Sequence, residues 1–167
     1  DREAELAREP RDPATAAAAR AHAEGLGRVS PERVFAELKR IVVADAALDG
    51  LARMDELGLT AVVLPEIDAL HGVGQNPYHH RDVHGHTLEV LDAAIALERD
   101  PAATVGDDLA PAVRALLDEP LADGLTRGGG LRFGALLHDA AKPQTRVELR
   151  DGRIGFPGHD AQGAAIA

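Results

Sequence analysis

Cysteine and tryptophan are both absent from this 167-residue sequence, and its only aromatic side chains are Phe35, Phe133, Phe156 and Tyr78. Without cysteine there can be no disulfide and no thiolate zinc site, so any metal must rest on histidine and carboxylate. With so few aromatics the core must come from Leu, Val, Ile and Ala, a set that suits close-packed helices. No apolar run approaches the ~20 residues of a membrane-spanning helix, and the acidic, Ala-rich N-terminus has no signal-peptide pattern. The expectation is a cytoplasmic chain with no membrane partner. Positive charge is in the minority: 18 Lys and Arg stand against 28 Asp and Glu, a net −10. Phosphate contacts need clustered cations, so broad unaided binding to nucleic acid or anionic lipid is disfavoured. A local basic patch, or a metal that carries the positive charge itself, remains open. There is no initiator methionine, and the last residues, Ala164-Ala165-Ile166-Ala167, fall inside a helical pattern. The expectation is a fragment, long enough for one domain or a small domain with an appendage.

Helix signals dominate what is there. Asp12-Pro13 is an N-cap with a first-turn proline, opening an Ala-rich helix to about Gly25. Ser30-Pro31-Glu32 repeats the device, and Val34, Leu38, Ile41 and Val42 follow at helical spacing. Asp45 is placed to cap a third helix that closes at Gly58, and Pro65-Glu66 opens a short fourth one to Gly72. Residues 73–81 read as loop. Asp82 then caps a longer helix to about Arg99, with Leu88, Leu91 and Ile95 inward. Asp100-Pro101 and Gly106 mark an exposed connection, followed by a helix at about 108–118. Gly128-Gly129-Gly130 reads as a hinge before a helix from Leu131 that Pro143 ends. Val147–Arg150 and Arg153–Phe156, joined by Asp151-Gly152, predict one tight hairpin over 147–156. A last helix begins near Gly158-His159. The fold class is therefore all-α with one small β-hairpin.

The chemistry concentrates late in the chain, with seven of the eight histidines between residues 71 and 159. The sharpest feature is His138-Asp139, directly after an apolar helical run. An ionisable doublet there is costly to bury unless something satisfies it, and a divalent ion accepts an imidazole nitrogen and a carboxylate oxygen together. Neighbouring side chains on a helix diverge by about 100°. His138 and Asp139 can share an ion only at a helix end, which Lys142-Pro143 supplies. His86, in the first turn of an earlier helix, is placed to add a ligand from across the bundle. Other residues have two readings. His79 and His80 are phosphate contacts or solvated loop histidines, and His159 is a second-metal ligand, a substrate contact or a helix cap. Lys142 neutralises a phosphate or complements a helix C-terminus. Asp82 is an N-cap or orients a metal-bound histidine. His22 and His71 read as surface residues.

The pattern His86, then His138-Asp139, then Lys142, resembles the HD superfamily of metal-dependent phosphohydrolases. Asp12-Pro13-Ala14-Thr15, the segment Arg28–Leu38, Leu64-Pro65-Glu66, Gln75-Asn76-Pro77-Tyr78-His79-His80 and Gly158-His159 more closely resemble bacterial CCA-adding tRNA nucleotidyltransferases and poly(A) polymerases that carry an HD domain. This resemblance implies an HD-domain helical bundle over 73–167, truncated at its C-terminal end, after a helical neck over 1–72. It implies metal ligands His86, His138 and Asp139, a fourth ligand Asp beyond Ala167, catalytic roles for Asp139 and Lys142, and phosphate contacts from His79, His80 and His159. The implied cofactor is a divalent ion, with Mg, Mn, Ni, Co, Fe and Zn all compatible. The implied substrate is a nucleotide or RNA-end phosphoester, 2′,3′-cyclic or 2′-phosphorylated, with tRNA among the partners open to the full-length protein. The rival implication is a catalytically degenerate HD domain that serves as a structural or RNA-binding body for a nucleotidyltransferase head. The head's Gly-Ser and paired-Asp motifs are not in this sequence, so the chain alone is not expected to add nucleotides. Two positions depart from the family pattern: His84-Gly85 stands where Trp-Glu is usual, and Ala140-Ala141 where Ile-Gly is usual.

Overall fold

The computed structural model describes residues 12–75 and 81–167, and within them the protein is helical apart from one two-stranded hairpin. It divides into two compact units, one ending at Asp68 and the other beginning at Ala69.

The first unit is a stack of short helices. Helix α1 (Pro13–His22) starts where Asp12 accepts from the Thr15 backbone N–H, and a 3-10 turn (Ala23–Arg28) follows. Helix α2 (Pro31–Val42) has proline in its first turn, and its Leu38 and Val42 are buried. Helix α3 (Ala47–Glu56) buries Ala47, Leu51 and Met54. Arg20 of α1 donates to the Glu56 carbonyl at 2.9 Å and so caps the end of α3. Two single turns, α4 (Thr60–Val63) and α5 (Pro65–Asp68), complete the unit. Asp45 does not cap α3, because the helix starts two residues later behind Ala46 with no side-chain cap. The fourth helix is also shorter than its pattern suggests: α5 stops at Asp68, and Thr60–Val63 forms a separate turn.

The second unit is built on α6 (Val83–Arg99) and α9 (Arg127–Leu137), which pack along one another. Between them lie α7 (Pro101–Val105) and α8 (Ala110–Leu117). Val83, Leu91, Ile95 and Leu136 are buried in this unit. Gly128-Gly129-Gly130 is not a hinge: it forms the first turn of α9, where Thr126 Oγ1 accepts from the Gly129 N–H. The glycines are there for closeness, since a Cβ on Gly128 would lie 2.9 Å from Glu98 Cδ of α6. That Glu98 carboxylate grips Arg132 of α9 in a bidentate pair, both contacts 2.9 Å.

Nor does Pro143 end α9. The helix closes at Leu137, and Pro143 lies in the first turn of the short α10 (Lys142–Thr145). The exposed connection after Asp100 holds a short helix of its own, with Asp100 capping α7 through the Ala103 N–H and Pro101 buried. Strands β1 (Val147–Glu148) and β2 (Ile154–Gly155) pair antiparallel, Val147 opposite Gly155 and Glu148 opposite Ile154. Gly152 turns between them at φ +77°. Gly158, at φ +73°, precedes α11 (His159–Ile166).

Candidate metal centre

Three elements deliver the histidines that surround Asp139. His86 sits in the first turn of α6, a helix fixed at its start by Asp82, whose Oδ1 accepts from the Gly85 N–H at 2.8 Å. His138 is the C-cap of α9, and Asp139 follows once the helix has stopped. The turn continues through Ala140 N–H to Leu137 O and Lys142 N–H to Asp139 O. Because α9 ends there, the two neighbouring side chains converge instead of diverging. His138 Nε2 lies 3.1 Å from Asp139 Oδ2, and His86 Nε2 lies 3.9 Å from the same oxygen. On the other side, His159 Nε2 at the start of α11 is 3.7 Å from Asp139 Oδ1.

The carboxylate is buried while the imidazoles face outward. The Asp139 side chain is 2% exposed, against 26% for His86 and 33% for His138. Burial pushes the Asp139 carboxyl up, but His138 and Lys142 outweigh it and hold it at about 2, so it is ionised throughout the neutral range. Conversely, the contact with Asp139 raises His138 above its ordinary value against the opposing effect of burial.

The ring tautomers follow from their backbone partners. His138 Nδ1 meets the Ala135 carbonyl at 2.8 Å and His159 Nδ1 meets the Phe156 carbonyl at 2.7 Å. A carbonyl only accepts, so in each neutral ring Nδ1 carries the proton and Nε2 turns its lone pair toward Asp139.

These features fit a divalent cation. Asp139 Oδ2 is sealed from solvent and accepts no well-directed hydrogen bond, although Lys142 Nζ lies 2.8 Å from it. An imidazole lone pair facing each carboxylate oxygen repels it unless a proton or a cation lies between them. One ligand atom each from His86, His138 and Asp139 falls within a mutual 4.8 Å. Ligands about 2.1 Å from one ion stand roughly 3.0–3.4 Å apart in octahedral or tetrahedral geometry, so a small contraction would close the set. Backbone carbonyls that fix imidazole rings from behind are the usual support of such ligands.

Lys142 is almost enclosed. Its ammonium touches Asp139 Oδ2, donates to Gln75 Oε1 at 2.7 Å, and stands 5.1 Å over the Phe156 ring. Gln75 and Phe156 are contacts that the sequence pattern does not signal, since Gln75 lies 67 residues from Lys142 within a stretch of loop-forming residues. Asp82 acts as a cap and also accepts from the Gly72 N–H at 2.8 Å. His84 is buried and stacks on His71 at 3.7 Å, away from the three-ligand group. His79 and His80 lie outside the described residues.

An all-helical protein with a His/His/Asp cluster at a helix end is the class that fold and site define. Comparison with known proteins narrows it. Residues 12–70 match the family described as the probable RNA and SrmB-binding site of polymerase A. The chain is 33% identical over 136 residues to the A-adding tRNA nucleotidyltransferase of Deinococcus radiodurans, an alignment covering 81% of this chain and 25% of that protein. It is 34% identical over 148 residues to the CC-adding tRNA nucleotidyltransferase of Thermus thermophilus, covering 88% and 28% respectively. A multifunctional CCA protein of Halorhodospira halophila is 33% identical over 135 residues, 80% of this chain and 25% of that one. The chain is thus similar to tRNA nucleotidyltransferases and spans about a quarter of the length of these relatives.

Proposed function

We propose that this chain is the neck and HD-type phosphohydrolase region of a tRNA nucleotidyltransferase or poly(A) polymerase-like protein of the cytoplasm, with the neck over 1–72 and the HD domain over 73–167. The observation that carries the hydrolase reading is the convergence of His86, His138 and Asp139 on one buried carboxylate oxygen. A divalent ion there supplies Lewis acidity toward a phosphoryl oxygen and toward the attacking water. The chain's own residues do the rest. Asp139, ionised and buried, would help hold the ion and would accept the proton of the attacking water. Lys142 holds a phosphate oxygen, as does His159 when its ring also carries a proton on Nε2, with His79 and His80 proposed to assist. The substrate is a 2′,3′-cyclic or 2′-phosphorylated nucleotide or RNA end. The likeness of residues 12–70 to an RNA-binding family model supports RNA, tRNA included, as the partner of the neck.

The test is metal uptake by calorimetry with Mg, Mn, Ni and Co, alongside hydrolysis of 2′,3′-cyclic AMP. Asp139→Ala and His138→Ala should each weaken metal binding by at least about tenfold, and both should lose hydrolysis, as removal of ligands does. Lys142→Ala should raise KM more than it weakens the metal. Equal metal affinity and equal turnover in wild type and Asp139→Ala would sink the hydrolase reading.

A further inference from the structure

The amide of Gln75 is oriented without ambiguity. An ammonium only donates, so the oxygen faces Lys142 Nζ at 2.7 Å and the nitrogen turns the other way. That nitrogen is sealed from solvent and meets no hydrogen-bond acceptor among the described residues. A buried donor without an acceptor is costly and uncommon, and where one persists beside a polar centre it calls for a ligand. Its neighbour Lys142 is itself 2.8 Å from Asp139 Oδ2. The ammonium beside the carboxylate is thus hydrogen-bonded to an amide whose NH2 still has both protons to give. Two adjacent donors of this kind suit two oxygens of a single oxyanion, the charged one for strength and the neutral one for placement.

We propose that Gln75 is a substrate-binding residue of this centre: its Oε1 holds the Lys142 ammonium in place, and its Nε2 donates to a non-bridging oxygen of the phosphoester. This rests on the hydrolase reading above and adds a residue to it. Gln75→Glu separates the two functions, because it keeps an acceptor for Lys142 but replaces the donor with negative charge. Gln75→Met keeps the length and loses both.

The experiment uses the whole chain loaded with Mg and titrated with inorganic phosphate, while the side-chain NH2 resonances of Gln75 are followed by NMR. The NH2 pair should shift in step with phosphate binding. Phosphate should bind about tenfold more weakly to both variants, as expected when a buried donor to an anion is lost, and KM for 2′,3′-cyclic AMP should rise more than kcat falls. Metal affinity should stay within about twofold, because neither variant touches a ligand. A purely structural Gln75 would leave the NH2 pair unmoved by phosphate, and that result overturns the inference alone. The pair is read on the wild-type chain, so a variant that fails to fold does not remove the test. If the wild-type chain takes up no divalent ion, the hydrolase reading falls and the Gln75 inference with it.

Discussion

Asp82 shows how much a single carboxylate does in this protein. Its two oxygens accept from the Gly85 and Gly72 backbone N–H groups, fixing both the start of α6 and the chain that leads to it. Burial raises its pKa, yet those two N–H groups, with His84 and His71 nearby, bring it below the ordinary carboxylate range. The charged form is therefore favoured by folding. Its stabilisation is present above the unfolded value of about 3.9 and is lost as the pH falls through the lower folded value. Asp82→Asn keeps a capping oxygen but removes the charge, so stability to urea followed from neutral pH down past the unfolded value of about 3.9 should fall less steeply with acid than in wild type. Asp82→Ala should cost about 1 kcal/mol at neutral pH, the usual loss of an N-cap. An Asp82→Asn chain with the wild-type acid dependence would refute the charge argument. The cap itself is legible in sequence, since an Asp before an apolar helical run has few other uses. The tie to Gly72 is not, because it joins two segments ten residues apart.

At the scale of elements, glycine placement separates helix packing from helix propensity. Gly128 and Gly134 both lie in α9, but they face different surroundings. A Cβ at 128 would meet Glu98 Cδ at 2.9 Å, whereas a Cβ at 134 would meet nothing within 4 Å. Gly128→Ala should push Glu98 off its bidentate hold on Arg132 and destabilise the chain by about 1–3 kcal/mol, as overpacking does. Gly134→Ala should stabilise it by about 0.5–1 kcal/mol, the helix preference of Ala over Gly. Chemical denaturation of the two variants checks the pair, and equal effects would refute the packing account. The triple glycine looks like a hinge in sequence because glycine disfavours helix, and only the partner helix shows why it is needed. The hairpin is legible from its two β-prone runs, but its turn is not the Asp-Gly pair: Gly152 N–H donates to the Leu149 carbonyl, so Arg150 and Asp151 are the central residues and Gly152 follows at φ +77°.

For the molecule as a whole, charge and motif content limit what the chain does alone. A net −10 leaves no general attraction for a polyanion, so any contact with RNA would have to be local or metal-assisted. The sequence contains neither a Gly-Ser phosphate loop nor the paired carboxylates of nucleotidyl transfer. This chain by itself should therefore incorporate no labelled ATP or CTP into tRNA, although its relatives are named for that activity. Incorporation above a no-protein control would overturn the prediction. Among the described residues no helix is long and apolar enough to cross a membrane.

Sequence alone determined the elements whose causes are local. Caps, first-turn prolines and helical spacing placed α1, α2, α6 and α11, and two β-prone runs placed the hairpin, because each depends on residues within a few positions of one another. It also marked His86, His138 and Asp139 as a set worth testing, since an ionisable pair after an apolar helix has few inexpensive uses. Tertiary structure decided the rest. Where α9 stops relative to His138, which oxygen of Asp139 each imidazole faces, and that Gln75 reaches Lys142 all depend on segments far apart in the chain. Such contacts leave no periodicity in the sequence, because packing rather than local preference selects them.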